Sequence, residues 1–296
     1  MNPVIHKWSV LVVSVCLACP VGAHELWIQA SRADELDDAA PFPPLEQNGI
    51  GGGVGLDLTN DWSLSGSLAT NDSDTDEWRL SLVYSPGKWS MSVSASGLTE
   101  ANSRTLQSGQ TVAQLDQSRD EHSVRVALSG FWEKGDHFAD VGISLARTES
   151  DSQRTGAVWR NHPTLGRIVL QAGRETAQFE DWTLDLDVTG GTWWYGEAWA
   201  LSPYVGGGWS IGLSEQAEGE TVGLRRLSLR SVWSGRAQSA FVSTPDTGYV
   251  LAGMTFYWGV HWNLDLSHSI TVGGDDDQPV TTLTLGYSWG PQDDAG

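Results

Sequence analysis

The sequence predicts an all-β fold, an antiparallel transmembrane β-barrel of about 12–14 strands. Three observations predict it. From Gly49 to Gly290 apolar and polar residues alternate with a period of two, in segments of about ten residues, and the helical period is nearly absent. Short turns and longer polar connections alternate along much of this region, as they do when all turns lie on one side of a sheet. The chain holds 16 Trp, all but Trp8 beyond residue 23 and many at strand ends, where ring and N–H suit a membrane interface.

Composition narrows the classes further. The 296 residues carry 17 Lys plus Arg against 37 Asp plus Glu, a formal net charge of −20, which excludes nucleic acid as a default partner. No stretch after residue 23 approaches the roughly 18 apolar residues of a membrane helix.

Met1 to Ala23 reads as an export signal: His6 and Lys7, an apolar run from Trp8 to Ala18, then Val21-Gly22-Ala23 with small residues suited to cleavage. Both cysteines, Cys16 and Cys19, fall within it, so the mature chain is expected to have no thiol for a disulfide, a metal or a nucleophile. A lipidated Cys19 is the rival reading, disfavoured because Cys16 stands where a Leu is usual. Residues 24–48 combine acids (Asp34, Glu35, Asp37, Asp38) with Pro41, Pro43 and Pro44, and read as a tether or short plug.

Within the barrel region 49–290, five strands open on a polar-Trp-polar-aliphatic pattern at Trp62, Trp78, Trp89, Trp182 and Trp262, which puts Trp and Leu on one face and Ser, Thr, Asn, Asp and Arg on the other. Tight turns are expected at Asn60-Asp61, Pro86-Gly87, Glu180-Asp181 and Gly259-Val260. Longer connections are expected over Asn71–Asp76, Leu98–Asp120, Thr148–Gly166, Ser214–Thr221 and Gly273–Pro279. Gly49–Thr59 reads either as a wall strand or as an inner segment, and hairpins at Ser202-Pro203 and Ser234-Gly235 are either real or fused, which sets fourteen against twelve strands. Residues 291–296 form a polar tail.

A β-sandwich would share the alternation. The polar face decides against it, because Arg79, Arg125, Asp185, Asp187, Arg226, Arg230, Asn263 and Asp265 are too many polar groups for a dry core. A barrel lumen accommodates them, and Trp62, Trp78, Trp89, Trp182, Trp262 and Trp289 then form the membrane-interface girdle.

Leu201-Ser202-Pro203-Tyr204-Val205-Gly206-Gly207-Gly208-Trp209 resembles a strand start that recurs in small OmpA-type outer-membrane barrels. Gly253 to Leu266 and Thr282 to Trp289 resemble the last strands of that superfamily and of autotransporter-type barrels without a passenger. The likeness covers the last 90 residues or so and implies membrane and fold rather than an activity. It also implies contact with the assembly machinery through the closing strand, although here a polar tail follows Trp289 where the family usually ends on an aromatic.

Catalytic motifs are weak. Gly208-Trp209-Ser210-Ile211-Gly212 has the letters of a hydrolase elbow, but that motif needs a strand-to-helix turn. No His is followed two residues later by Ser, so the paired His and Ser of barrel lipid hydrolases is lacking, and only a site assembled across strands stays open. Asp72-Ser73-Asp74-Thr75-Asp76-Glu77 and Asp275-Asp276-Asp277 offer acidic loops for divalent cations or, on the plainer reading, solvated surface.

The expectation is an outer-membrane protein exported from the cytoplasm of a Gram-negative cell, surrounded by lipid and lipopolysaccharide, without cofactor and without enzymatic activity. Its lumen, lined by Arg79, Arg125, Asp185, Asp187, Arg226, Arg230 and Asp265, would form a small passive pore for polar solutes. A non-conducting structural or adhesin-like barrel is the alternative, and a barrel lipid hydrolase the third reading.

Overall fold

A computed structural model describes residues 24–34, 46–71, 75–164, 166–226, 232–239, 246–272 and 279–289. Among the described residues every regular element is a strand: β1 (His24–Asp34), β2 (Glu46–Asp57), β3 (Trp62–Asn71), β4 (Thr75–Tyr84), β5 (Trp89–Ser108), β6 (Thr111–Lys134), β7 (His137–His162), β8 (Gly166–Thr192), β9 (Trp194–Tyr195), β10 (Trp199–Arg226), β11 (Val232–Ser239), β12 (Thr247–Trp258), β13 (Trp262–Val272) and β14 (Pro279–Trp289). Twelve of them close a ring in chain order, β8 pairing directly with β10, β10 with β12, and β14 with β1. All pairings are antiparallel. The two-residue β9 and β11 lie off the ring, each paired with β10. Closure leaves no unpaired edge in the wall.

The period-two pattern dictates which face looks out. On β6 the outward positions Val124, Val126, Leu128 and Trp132 span nine residues, the length at which a tilted strand crosses a bilayer core. Val124 and Trp132 are each 55% exposed, so no second layer of protein covers them. The outward face of β13 likewise carries Trp262, Leu264, Leu266 and Ile270.

Large side chains reach sideways over glycines of the neighbouring strand. A Cβ on Gly97 would overlap the outward ring of Trp78, and one on Gly53 would overlap the inward ring of Trp27. These notches let bulky rings lie flat along the wall on both faces.

One end of the barrel holds the start of β1, the end of β14 and the short turns, at Leu58–Asp61, Ser85–Lys88, Gly135-Asp136, Trp193–Ala198 and Gly259–His261. Gly135 and Gly259 supply the left-handed φ (63° and 60°) that two of these turns require. At the opposite end five strands overrun the wall. β5, β6, β7, β8 and β10 are 20, 24, 26, 27 and 28 residues long, against 10–12 for β1–β4 and β12–β14. β4 pairs with β5 only as far as Glu100, and β12 pairs with β10 only as far as Ser210. Beyond those points β5, β6, β7, β8, β10 and β11 continue as a six-stranded sheet projecting from one side of the rim.

Several expectations are corrected. His24–Asp34 is a wall strand that pairs with both β2 and β14, not a tether, so the barrel begins before Gly49. Its own alternation, with Leu26, Ile28 and Ala30 outward and Trp27, Gln29 and Ser31 inward, gives the physical reason. Gly49–Thr59 supplies wall strand β2 rather than an inner segment. Glu180-Asp181 is not a turn but mid-β8, where alternation simply continues through the acids. The regions expected as loops over 98–120, 148–166 and 214–221 are mostly paired backbone of the projecting hairpins. Ser202-Pro203 lies inside β10, and Ser234-Gly235 inside β11. The expected signal 1–23, the tail 291–296 and the acidic residues Asp72–Asp74 and Asp275–Asp277 lie outside the described residues.

Candidate functional site: the lumen

Register places six of the residues expected on the polar face inside the ring. Arg79 lies opposite Ser67 and Ser96, Arg125 opposite Ser94 and Ala146, Asp185 opposite Ser144 and Ser210, and Asp187 opposite Gly142 and Gly208. Asn263 faces Tyr257 and Gly286, and Asp265 faces Thr255 and Thr284. Arg226 is different: its backbone pairs with Val232 in the projecting sheet, well beyond the wall, so it does not line the lumen. The strand's length, invisible while residues 214–221 read as a loop, carries it there. Arg230 lies outside the described residues.

Asp185 is the best-connected inward group. Its carboxylate takes an ion pair from Arg125 at 2.9 Å and accepts the hydroxyls of Ser210 at 2.7 Å and Ser144 at 3.1 Å, tying β6, β7, β8 and β10 together. Asp265 accepts from Tyr204 at 2.9 Å and from Thr255 at 2.7 Å, joining β10, β12 and β13. The Asp187 carboxylate lies over Gly142, occupying the space a Cβ there would need. On this half of the ring, the contacts of Asp185 and Asp265 bridge neighbouring strands laterally.

The other half is different. Inward positions on β2 are Gly49, Gly51, Gly53 and Gly55, those on β3 are Ser63, Ser65, Ser67 and Ala69, and those on β5 run Ser90, Ser92, Ser94 and Ser96. Among the described residues Arg79 and Glu77 have no ion-pair partner. With Gln29, Glu121, Ser67 and Ser123 they border a recess of about 350 Å³, with Trp27 at its edge.

At the turn end, aromatic rings form a shelf over the β6–β12 side of the mouth. Trp193 lies with its centroid 5.7 Å from Phe138, 5.6 Å from Tyr257 and 6.2 Å from Tyr195, and Phe138 reaches Phe131 at 6.1 Å. The sequence signals aromatic density at Trp193, Trp194, Tyr195 and Trp199, but not that Phe131, Phe138 and Tyr257 join Trp193 in a shelf, and the inward acids Glu25, Glu77 and Asp140 were missed. Strict alternation would have found the acids, Glu77 from Arg79 on β4, Glu25 from Leu26 and Ile28 on β1, and Asp140 from Val141 and Ile143 on β7.

The girdle residues face outward in two rows. Trp62 and Trp89 flank Tyr84 at the turn end, and Trp258, Trp262, Tyr287 and Trp289 continue the same belt, the Trp258 and Trp262 rings stacked 5.9 Å apart. Trp78 and Trp182 sit near the other end, the latter under the Arg147 guanidinium at 6.0 Å. Gly208–Gly212 lies inside β10 with no helix after it, so the elbow geometry is missing. His268 Nδ1 lies 2.9 Å from Thr281 Oγ1 across β13 and β14, on the outward face. No group of His, Cys, Asp and Glu suited to hold a metal occurs among the described residues.

No protein-family model matches the sequence, and no curated protein matches it. Among solved structures, the beta domain of the Bordetella autotransporter BrkA is similar at a TM-score of 0.52 and 15% identity, covering 92% of this chain and 100% of its own. The CymD monoaromatic hydrocarbon channel gives 0.44 at 11% identity over 97% and 93% of the two chains. The Pseudomonas putida toluene transporter TodX gives 0.42 at 10% over 91% and 89%. The BrkA likeness is one of fold: this chain has the closed antiparallel architecture of outer-membrane β-barrels. Its twelve strands depart from the roughly eight of OmpA-type barrels, so the resemblance holds at the level of the broad class.

Proposed function

We propose that the protein is an outer-membrane barrel of a Gram-negative cell, with termini and short turns in the periplasm and the long hairpins outside. Its function on this reading is that of a small passive pore for polar solutes, without catalysis. The observation that carries it is the two-sided lumen. Side chains tied together through Asp185 and Asp265 line the arc from β6 to β13, whereas β2, β3 and β5 present mostly glycine and serine inward, which leaves room for a wet passage beside Arg79 and Glu77, neither of them ion-paired among the described residues. Inward Glu25, Glu77, Glu121, Asp140, Asp185 and Asp187 outnumber inward Arg79 and Arg125, so the passage favours cations.

Single-channel recording on the refolded, heat-modifiable protein in a planar bilayer tests this. Wild type is expected to show steady, cation-selective openings. Ser94→Trp, which projects a ring from the small-residue wall, is expected to reduce the unitary conductance, and Arg79→Glu to increase cation preference. Silence from a folded barrel would refute the pore.

The reach of the hairpins favours a second reading, a surface-interaction barrel in which the wall only anchors the projecting sheet. Phospholipid turnover by the purified protein would be the sign of a hydrolase and would refute the non-catalytic reading.

A further inference from the structure

The charges of the projecting sheet are sorted by height. Near its base, arginines are engaged: Arg119 with Glu121, and Arg147 with Glu149 at 2.6 Å and Glu180 at 2.9 Å. Farther out, Arg154 donates to Gln117 at 3.3 Å and Arg174 to Gln153 at 3.0 Å. Arg236, level with Arg174 in the last row before the glycines, still pairs with Glu220 at 2.6 Å. Beyond the row in which Leu115, Gly156, Gly173 and Gly223 lie opposite one another, acids stop. The described residues of 105–114, 157–172, 224–226 and 232–234 contain no Asp or Glu, yet hold Arg160, Arg167, Arg225 and Arg226, in a chain of net charge −20.

Arg160 and Arg225 are exposed and have no hydrogen-bond or ion-pair partner among the described residues. Arg167 is exposed as well, and its guanidinium lies 3.5 Å over the ring of Trp159. Register puts Arg160 and Arg225 on one face of the sheet and the stack of Arg167 on Trp159 on the other, so the tip presents fixed cations and hydrogen-bond donors on both faces and a flat ring on one. Nearly fifteen residues separate this tip from the level of Trp182, roughly 45 Å along the strand, so the tip stands clear of the barrel rim.

We propose that this cationic tip is a docking surface for an anionic polysaccharide, one carrying carboxylate or sulfate groups. A polyanion meets an acidic barrel everywhere except here, so complementary charge fixes both where it binds and which way it lies. The extracellular setting of that partner rests on the orientation given under Proposed function.

Full-length protein folded in detergent micelles is titrated with heparin, polygalacturonate and neutral dextran at low and high salt. Wild type is expected to bind both polyanions, more weakly as salt rises, and not dextran. Arg160→Glu/Arg167→Glu/Arg225→Glu is expected to weaken polyanion binding by at least about tenfold. Lys88→Glu/Lys134→Glu, at the opposite end, is expected to leave it unchanged. The heat-dependent gel shift shows that each variant is folded. Equal binding by the triple variant, equal binding of dextran, or tighter binding of duplex DNA than of either polyanion overturns the proposal. Heparin binding by purified protein and by intact cells supports it in full. Binding by permeabilised cells alone overturns the outward orientation, and with it the extracellular partner, while the chemistry of the tip stands.

Discussion

At the residue scale, Asp185 shows how an acid is kept inside a barrel. It has three partners on three other strands, and only one of them, Arg125, is charged. Because Arg125 is itself 50% exposed to the lumen, the ion pair is screened and its worth is small. Arg125→Ala is expected to cost roughly 1 kcal/mol in the denaturant midpoint, and Asp185→Asn, which keeps the hydroxyl contacts, less than that. A double variant that is no worse than Arg125→Ala alone would show that the pair acts as a unit. Asp116, out in the projecting hairpin, makes a pH-dependent contact instead. The hydroxyl of Ser103 at 2.6 Å, and secondarily the amide of Gln114, hold its carboxyl below the usual carboxylate range. The folded hairpin therefore binds that proton more weakly than the unfolded chain. The contact is complete above the ordinary carboxylate pKa and is lost as pH falls through the lowered one. Proteolysis at the β5–β6 tip is expected to accelerate in that acid window for wild type, and to be insensitive to it in Asp116→Asn.

At the scale of the element, the notches explain why glycine recurs in wall strands. Gly53 sits under the Trp27 ring and close to the Gly66 carbonyl, so Gly53→Val leaves the ring nowhere to lie. That overpacking is expected to cost about 1–3 kcal/mol and to appear as a lower temperature for loss of the heat-resistant gel band, whereas Gly223→Val, with open space around it, is expected to be neutral. Strands were legible in the wall, where one face is apolar and outward and the other lines the lumen, since only there does hydrophobicity alternate. Past the girdle both faces meet water, alternation vanishes, and β5, β6, β7, β8 and β10 look like polar loops although their backbone pairing continues. β1 was missed for a different reason: its clean alternation over Leu26–Ser31 is followed at once by an acidic, Pro-rich stretch that suggests a tether. Of the lumen, register puts Arg79, Arg125, Asp185, Asp187 and Asp265 on the inward face, opposite the Trp and Leu positions, as parity predicts, because a period of two carries no ambiguity about the face. Parity misplaced Arg226, because it says which face a residue takes but not how far along the strand that residue lies.

At the scale of the whole molecule, the ring is built from two unlike halves, and the aromatic shelf belongs to the filled one. Trp193 links β7 to β12 over the β8–β10 turn, held by its backbone N–H, which donates to the Asp136 carbonyl at 2.7 Å. Its ring makes no part of the outward belt, and its removal takes no side chain away from the lipid interface. Were the passage to run freely along β2–β5 from end to end, the shelf would be only a lining, and Trp193→Ala would leave conductance as it is. On the proposed pore reading the shelf narrows the mouth through which a solute on that path would turn, since Phe131, Phe138 and Tyr257 all project inward from the arc facing the small-residue wall. Trp193→Ala is therefore expected to raise the unitary conductance while preserving the cation preference set by the acids deeper in the lumen, and Trp193→Phe to restore most of the wild-type value. A rise in conductance with loss of selectivity would place the filter at the shelf. No change in either would place the constriction at the level of Arg125 and Asp185, where Asp185→Asn should then alter selectivity on its own.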